Sequence, residues 1–348
     1  MSGHLTQLRE KREGIGSSAE LVSQLRSVDL SAASVTLVGL GNMGKQYLSA
    51  LEALSIRRIR VIGRSTESLE MLKERPEIVK ISGGFEQASF KPDPEELGII
   101  AVPTQLLMPA ARHLASLGFR KLLIEKPVAL RSVEISALVE ELRRQEVLAV
   151  TAYNRVAYPS FLECRSRAER EGGITSCTYT FTELISSDWE WIFPPEELAR
   201  WGLSNSLHPI GMAHRLIGPA REWTGYRKGG LSWHPAGSIF VGSGQSDRGI
   251  PFSYQADWGS TGRWSVEVHT PFSSYRLCPL ERLFRRVEAR GDWVEVPLST
   301  FDPKVKAGLV EQVAAILHPE IRQRIPLVSL EETAELARYG EKVFGYEN

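Results

Sequence analysis

Three stretches carry residues whose types and spacing could do chemistry. Gly39, Gly41 and Gly44 stand in the spacing of a dinucleotide-binding turn, directly after an apolar run that starts at Val35. In that role Gly39 permits a tight turn off a strand, Gly41 lets backbone amides approach a pyrophosphate, and Gly44 lets the next helix pack close to the sheet. Asn42 and Met43 complete the turn, and the phosphates belong on the helix N-terminus that begins there. Arg64 and Ser65 follow about 20 residues later, where NAD-preferring chains place an acid against the ribose hydroxyls. An arginine there can pair with a 2′-phosphate, so the spacing predicts NADP(H) over NAD(H), the plain alternative being an exposed loop arginine. The third stretch, Glu125-Lys126-Pro127, offers a lysine able to hold an oxygen or transfer a proton beside a cofactor. An X-Pro bond admits the cis form cheaply, which would turn Lys126 into a crevice. The same tripeptide also fits a surface Glu-Lys pair ahead of a helix-starting proline.

These residues need elements to position them. The run from Val35 reads as a buried strand, and Tyr47, Leu48, Leu51 and Leu54 give the helix that must follow. Further strands are expected at Ile59–Ile62, Leu97–Val102, Lys121–Ile124 and Val147–Ala152, with helices after Thr104 and over Ser132–Gln145. Regular alternation of this kind predicts a doubly wound parallel sheet with its ligand across the carboxyl ends of the strands. Val102, Pro103, Thr104, Glu125, Lys126 and Tyr153 all fall on that edge.

Beyond Asn154 the character changes, and all eight tryptophans lie in this second half. Runs at Ser176–Leu184, Phe252–Trp258, Arg263–His269 and Ser274–Cys278 predict an open, mostly antiparallel sheet. Helices are expected at Pro195–Trp201, Leu207–Leu216, Lys304–Leu317 and Leu330–Phe344. The fold class is thus α/β with a second α+β domain, divided as a helical extension over 1–34, a dinucleotide domain over 35–155 and a substrate and oligomerisation domain over 156–348. Within the extension, Ser17-Ser18-Ala19-Glu20 ahead of Leu21, Val22 and Leu25 predicts a capped accessory helix, packed on the first domain or at a subunit contact.

Together, Gly39-Leu40-Gly41-Asn42-Met43-Gly44, Ile100-Ala101-Val102-Pro103-Thr104, Glu125-Lys126-Pro127 and Tyr153-Asn154-Arg155 resemble the Gfo/Idh/MocA oxidoreductases in order and approximate spacing. The resemblance implies a Rossmann domain, a second domain whose open sheet lines the substrate site, and a lysine of the Glu-Lys-Pro motif touching the substrate. Members commonly carry an Asp four residues before a His; here Ser204 stands in place of the Asp and His208 is retained. That leaves His208 as proton donor or acceptor, with Asn205 or Ser204 bonding a sugar hydroxyl. Leu107 departs from the family as well, standing where many members have a His. The implied activity is an NADP(H)-dependent oxidoreductase moving a hydride between the nicotinamide and a carbinol or keto carbon of a sugar-like, nucleotide-sugar or polyol substrate. Lys126 polarises the oxygen, His208 acts beside it, and Tyr153, Asn154 and Asn205 orient hydroxyls. Two other readings stand beside it: a non-catalytic NADP-binding regulator of the same fold, and a nicotinamide-assisted glycosidase.

Composition excludes other classes. In 348 residues, Lys+Arg 42 balances Asp+Glu 42, so no global field favours nucleic acid or an anionic membrane. No apolar run reaches the about 20 residues of a membrane span. The run Arg9 to Glu13 is not a signal core, and a cytoplasmic protein is expected. Three cysteines without Cys-x-x-Cys spacing argue against disulfides or zinc. His208 and His214 lack further ligands at metal spacing, so no metal is expected, and His214 reads as structural. Arg282, Arg285, Arg286 and Arg290 read as a solvated edge. An aromatic-rich open sheet predicts a homodimer or homotetramer.

Overall fold

The structure is a computed structural model that describes residues 17–346. The run Arg9 to Glu13, with the rest of the expected extension before Ser17, lies outside the described residues. Helix α1 (Ser17–Ser27) opens the described chain. The first sheet then collects β1 (Ser34–Val38), β2 (Arg58–Ile62), β3 (Val79–Ile81), β4 (Leu97–Ile100), β5 (Lys121–Ile124) and β6 (Leu148–Thr151). Every residue of β1 and β4 is buried, as strands covered on both faces must be. The parallel order β3-β2-β1-β4-β5-β6 reverses direction between β1 and β4, with α2 (Asn42–Ala53), α3 (Thr104–Leu117) and α4 (Ser132–Arg144) as crossovers. Backbone bonds continue just past the strands, from Ala101 N to Val38 O (2.8 Å) and from Glu125 N to Ile100 O (3.0 Å), so the residues leaving them share one edge.

The second region runs through α5 (Pro159–Arg170), β7 (Ser176–Thr180), two short helical turns (Trp189–Ile192 and Pro195–Leu198), a π-helical turn (Gly202–Ser206) and α6 (Leu207–Ile217). Strands β8 (Ala220–Lys228), β9 (Ile239–Ser246), β10 (Pro251–Asp257), β11 (Ser265–His269), β12 (Ser274–Leu277), β13 (Phe284–Arg286) and β14 (Val294–Glu295) complete an eight-stranded sheet with β7. Only β7 and β10 pair in parallel. Burial alternates along β10, β11 and β12, and α6 packs on β7 and β11, so one face of the sheet forms the core.

The chain then crosses back, which departs from a division placing 156–348 in one domain. Helix α7 (Leu309–Leu317) packs on α2, α8 (Pro319–Arg324) follows, β15 (Val328–Ser329) pairs antiparallel with β6, and α9 (Leu330–Phe344) packs on α4. Every residue of α7 before Leu317 is buried, so that helix needs cover on all sides. Its start at Leu309 rather than Lys304 follows from Gly308 at φ 82°, where a Cβ would lie 2.1 Å from Asn154 O. Helix α1 packs on α5 and α8 instead of on the first sheet, with Ser18 N donating to Glu163 Oε2 at 2.9 Å.

The arginine edge divides. Arg282 pairs with Glu295, and Arg286 lies over Trp293, but Arg285 donates to buried Glu171 at 2.8 Å beside Tyr275 and Ser273. Alternation along β13 sends Arg285 and Arg286 to opposite faces. Cys164 and Cys177 are buried and unpaired, and burial pushes the Cys164 thiol up to about 12. No described helix is long and apolar enough to cross a membrane.

Candidate active site

The glycine turn is built by close approach. At Gly39 (φ 92°) a Cβ would sit 2.4 Å from Ala101 O, and at Gly44 one would sit 2.2 Å from Gly39 O, whereas at Gly41 nothing lies within 4 Å. Gly41 thus faces open space while its neighbours are closed. It is the N-cap of α2, whose first turn has no side-chain cap and no acid, so its leading amides remain for an anion. A dinucleotide pyrophosphate fits that provision. Val102 packs against Gly39, and Pro103 caps α3.

After β2, Arg64 is exposed and makes no ion pair among the described residues. The acid absent from the strand end is not absent from the turn. Glu67 stands three residues on, and the Ser65 hydroxyl beside it holds its carboxyl below the usual range. Ser65 Oγ also accepts from Ser68 N at 3.4 Å, so that hydroxyl is engaged within the turn.

Glu125 and Lys126 leave β5 in different directions. Glu125 is buried and accepts from Tyr47 of α2 at 2.8 Å; burial raises its pKa, while Tyr47, Lys126 and Lys306 oppose the rise. The Lys126–Pro127 peptide is cis, and Lys126 Nζ donates to Ser204 O at 2.8 Å, joining the first sheet's edge to the π-helical turn. Burial lowers the lysine pKa, against the carboxylates of Glu125, Glu197 and Glu183. Val128, fully buried, is held at φ 71°. For a β-branched side chain that conformation costs on the order of 1–3 kcal/mol, and strain of this kind clusters at functional sites.

His208 opens α6 at 4% exposure, edge-on to Tyr153 at 5.5 Å and 6.0 Å from the Trp264 ring. Its Nδ1 is buried without a partner. Burial, reinforced by Arg155, Lys126 and Lys306, holds its pKa well below the ordinary histidine value. A neutral imidazole accepts a proton rather than carrying one. Arg155 stacks over Trp264 at 4.7 Å, and Lys306 Nζ reaches Met43 Sδ at 3.2 Å.

Lys126, from the edge of the first sheet, thus bonds the turn that leads into α6 and stands near enough to His208 for its charge to act there. The side chains expected to orient hydroxyls are largely engaged by the protein. Ser204 Oγ donates to Glu197 at 2.5 Å, Asn205 Nδ2 to Glu183 at 2.9 Å and Asn154 Nδ2 to Ala307 O at 3.0 Å. The Ser204 hydroxyl thus gives its proton to Glu197 and keeps its acceptor lone pairs, whereas Tyr153 OH is buried with no partner. Thr104 Oγ1 donates to Glu197 at 3.3 Å. His214 instead faces Tyr339 at 4.6 Å and lines a cavity of about 400 Å³ with Trp223. Among the described residues no group of three His, Cys, Asp or Glu is disposed to hold a metal ion.

Sequence reasoning did not single out Glu183 and Glu197. They put two carboxylates around the segment Ser204–Ser206. Nothing local marked Glu183, which simply ends a strand-like run. It is 3% exposed, accepts from Ser206 Oγ at 2.5 Å, and is pushed up by burial to about 7 from an ordinary 4.5. The folded chain keeps this proton where the unfolded chain has lost it. Its contribution to stability therefore falls as pH rises from about 4.5 to about 7, then stays level. Glu183→Gln should shift the melting difference from the parent in the variant's favour by on the order of 1–3 kcal/mol between about pH 5 and about pH 8. A difference that does not move with pH would count against the buried proton.

Comparison with known proteins bears on the fold. Residues 33–153 match the profile of the Gfo/Idh/MocA oxidoreductase family, described as having an NAD-binding Rossmann fold. No curated protein sequence matches the chain. Solved structures resemble it over nearly its whole length. A levoglucosan dehydrogenase in complex with NADH and L-sorbose is 16% identical, with a TM-score of 0.69 over 89% of this chain and 95% of the other. UDP-N-acetylglucosamine 3-dehydrogenase from Acidithiobacillus ferrooxidans is 12% identical, with a TM-score of 0.67 over 89% and 96%. An aldose-aldose oxidoreductase from Caulobacter crescentus, complexed with glycerol, is 13% identical, with a TM-score of 0.70 over 90% and 96%. At such identities the likeness speaks for the fold alone, and the profile match is confined to the dinucleotide region, residues 33–153.

Proposed function

We propose that the protein is an NADP(H)-dependent dehydrogenase or reductase acting on a carbinol or keto carbon of a sugar-like, nucleotide-sugar or polyol substrate. The observation that carries this reading is the bond from Lys126, of the dinucleotide domain, to Ser204 O in the turn that leads to His208, whose Nδ1 is buried without a partner. The sugar-derived names of the similar structures support the substrate class.

The glycine-turn amides and the N-terminus of α2 would hold the pyrophosphate, with Val102, Pro103, Thr104 and Glu125 along the nicotinamide side. When bound, the nicotinamide supplies or takes the hydride. The chain's own work is done on the oxygen. Lys126 leaves the Ser204 carbonyl for the substrate oxygen and stabilises the charge that develops there, its donor already aimed into a partly dry site. His208, neutral, takes the hydroxyl proton in oxidation and returns it in reduction. Lys126→Met and His208→Asn should each lower kcat by about 10²- to 10⁴-fold with near-normal cofactor affinity, and their losses should combine less than multiplicatively. Full kcat in both variants, or tight NADPH binding with no turnover across a keto-sugar and polyol panel, would leave a regulator instead.

Arg64, free of ion pairs, supports the choice of NADP(H). Arg64→Ala should weaken NADPH by on the order of 1.5–3 kcal/mol and leave NADH nearly unchanged. Equal affinity of the parent for both dinucleotides would refute the preference; Glu67, near the same turn, is the residue that would then be favouring NADH.

Assembly into a homodimer or homotetramer belongs to the same reading. Tyr226 and Val241 are paired across β8 and β9 and are 74% and 38% exposed, an aromatic face without cover. Light scattering at micromolar concentration should show more than a monomer, and a monomer alone would remove this part.

A further inference from the structure

Among the described residues no carboxylate pairs with Arg155. It leaves β6 on the turn Asn154–Ala157, immediately after Tyr153, and its guanidinium is stacked over Trp264 at 4.7 Å. Its Nε is buried without a hydrogen-bond partner, and it makes no ion pair among the described residues. The neighbouring carboxylates are engaged elsewhere: Glu125 with Tyr47, Glu183 with Asn205 and Ser206, Glu197 with Ser204 and Thr104. An unanswered guanidinium edge in a cleft is costly to bury, and the cost is recovered when an anion with matching geometry arrives.

We propose that the substrate is an anionic polyhydroxy acid whose carboxylate is held by Arg155, close to the carbon whose oxygen meets Lys126 and His208. Stacking on the indole fixes the guanidinium plane, so its two terminal nitrogens present a parallel pair of donors away from the buried Nε. A carboxylate matches that fork with two oxygens. The same indole lies 6.0 Å from the His208 ring, so anion and reacting carbon must be near neighbours in one small molecule. A diphosphate set farther from the reacting sugar carbon fits this spacing less well. The proposal rests on the dehydrogenase reading for the identity of the reacting carbon, while the anion site itself can be tested without turnover.

The test is calorimetric titration of the NADP⁺-loaded protein with D-gluconate and D-glucuronate, against D-glucitol, D-glucose and UDP-glucose. The carboxylates should bind on the order of tenfold or more tighter than their neutral counterparts. Arg155→Leu should abolish that difference, and Arg155→Lys should keep part of it, with NADP⁺ affinity and melting temperature near the parent's in both variants. Equal binding of neutral and anionic ligands overturns the proposal, as does failure of both carboxylates to bind or a preference that survives Arg155→Leu. Tighter binding of UDP-glucose, lost in Arg155→Leu, also overturns it in favour of a diphosphate. The same ligands are then assayed for NADPH formation. Arg155-dependent binding without turnover sinks the dehydrogenase reading and keeps the anion site; turnover of neutral sugars without discrimination does the reverse.

Discussion

A single charge donated to a single carbonyl joins the two halves of the site: Lys126 Nζ to Ser204 O, at 2.8 Å. The lysine comes from the carboxyl edge of a parallel sheet. The carbonyl comes from a π-helical turn, a conformation often found at functional sites. A partly desolvated ammonium needs acceptors, and in the absence of substrate it takes a backbone oxygen four residues before His208. A ligand oxygen can replace that carbonyl without leaving the charge bare at any stage. Unlike a fixed ion pair, such a contact is readily exchanged.

That contact is useful only if the two sheets keep their spacing, and α9 is the element that holds it. Tyr339 exchanges a hydroxyl bond with Tyr179 of β7 at 2.9 Å, while Thr333 donates to Thr151 of β6 at 2.7 Å. Glu341 accepts the Ser132 amide at 2.8 Å, satisfying the start of α4. One helix thus bonds directly to both sheets and to a crossover helix. Phe344 at its end packs edge-on to Phe181 and Phe240 in the aromatic core of the second domain. The returning segment makes the first and second domains a shared structure, which suits a site whose working groups come from both.

The sequence disclosed what local rules encode. The glycine turn was legible because Gly39 and Gly44 are demanded by close backbone approach, and the parallel strands because burial on both faces writes continuous apolar runs. Strands β8 and β9 were not, since β8 exposes most of its residues and β9 is rich in Gly and Ser, which blunts any alternation. The return of α7 was illegible for a related reason: its apolar run, interrupted by Glu311 and Gln312, points to burial but not to which domain it packs against. Glu183 and Arg285 show the same limit for charges. Whether an acid or an arginine is solvated depends on what folds over it, and that is set by β-sheet register far along the chain.

Electrostatics completes the picture around His208. Lys126, Arg155 and Lys306 surround it with positive charge, and Glu125, Glu183 and Glu197 stand behind the first of these. A histidine so placed is held in its neutral form, and burial also lowers the two lysines. Glu183 is the adjustable member, because its proton is lost near neutrality. When it ionises, it favours the charged form of Lys126 through the shared low-dielectric surroundings. Carboxylates supplied from β7's exit and from the short helix Pro195–Leu198 thus bond the turn around Ser204 and act on Lys126 from the same side.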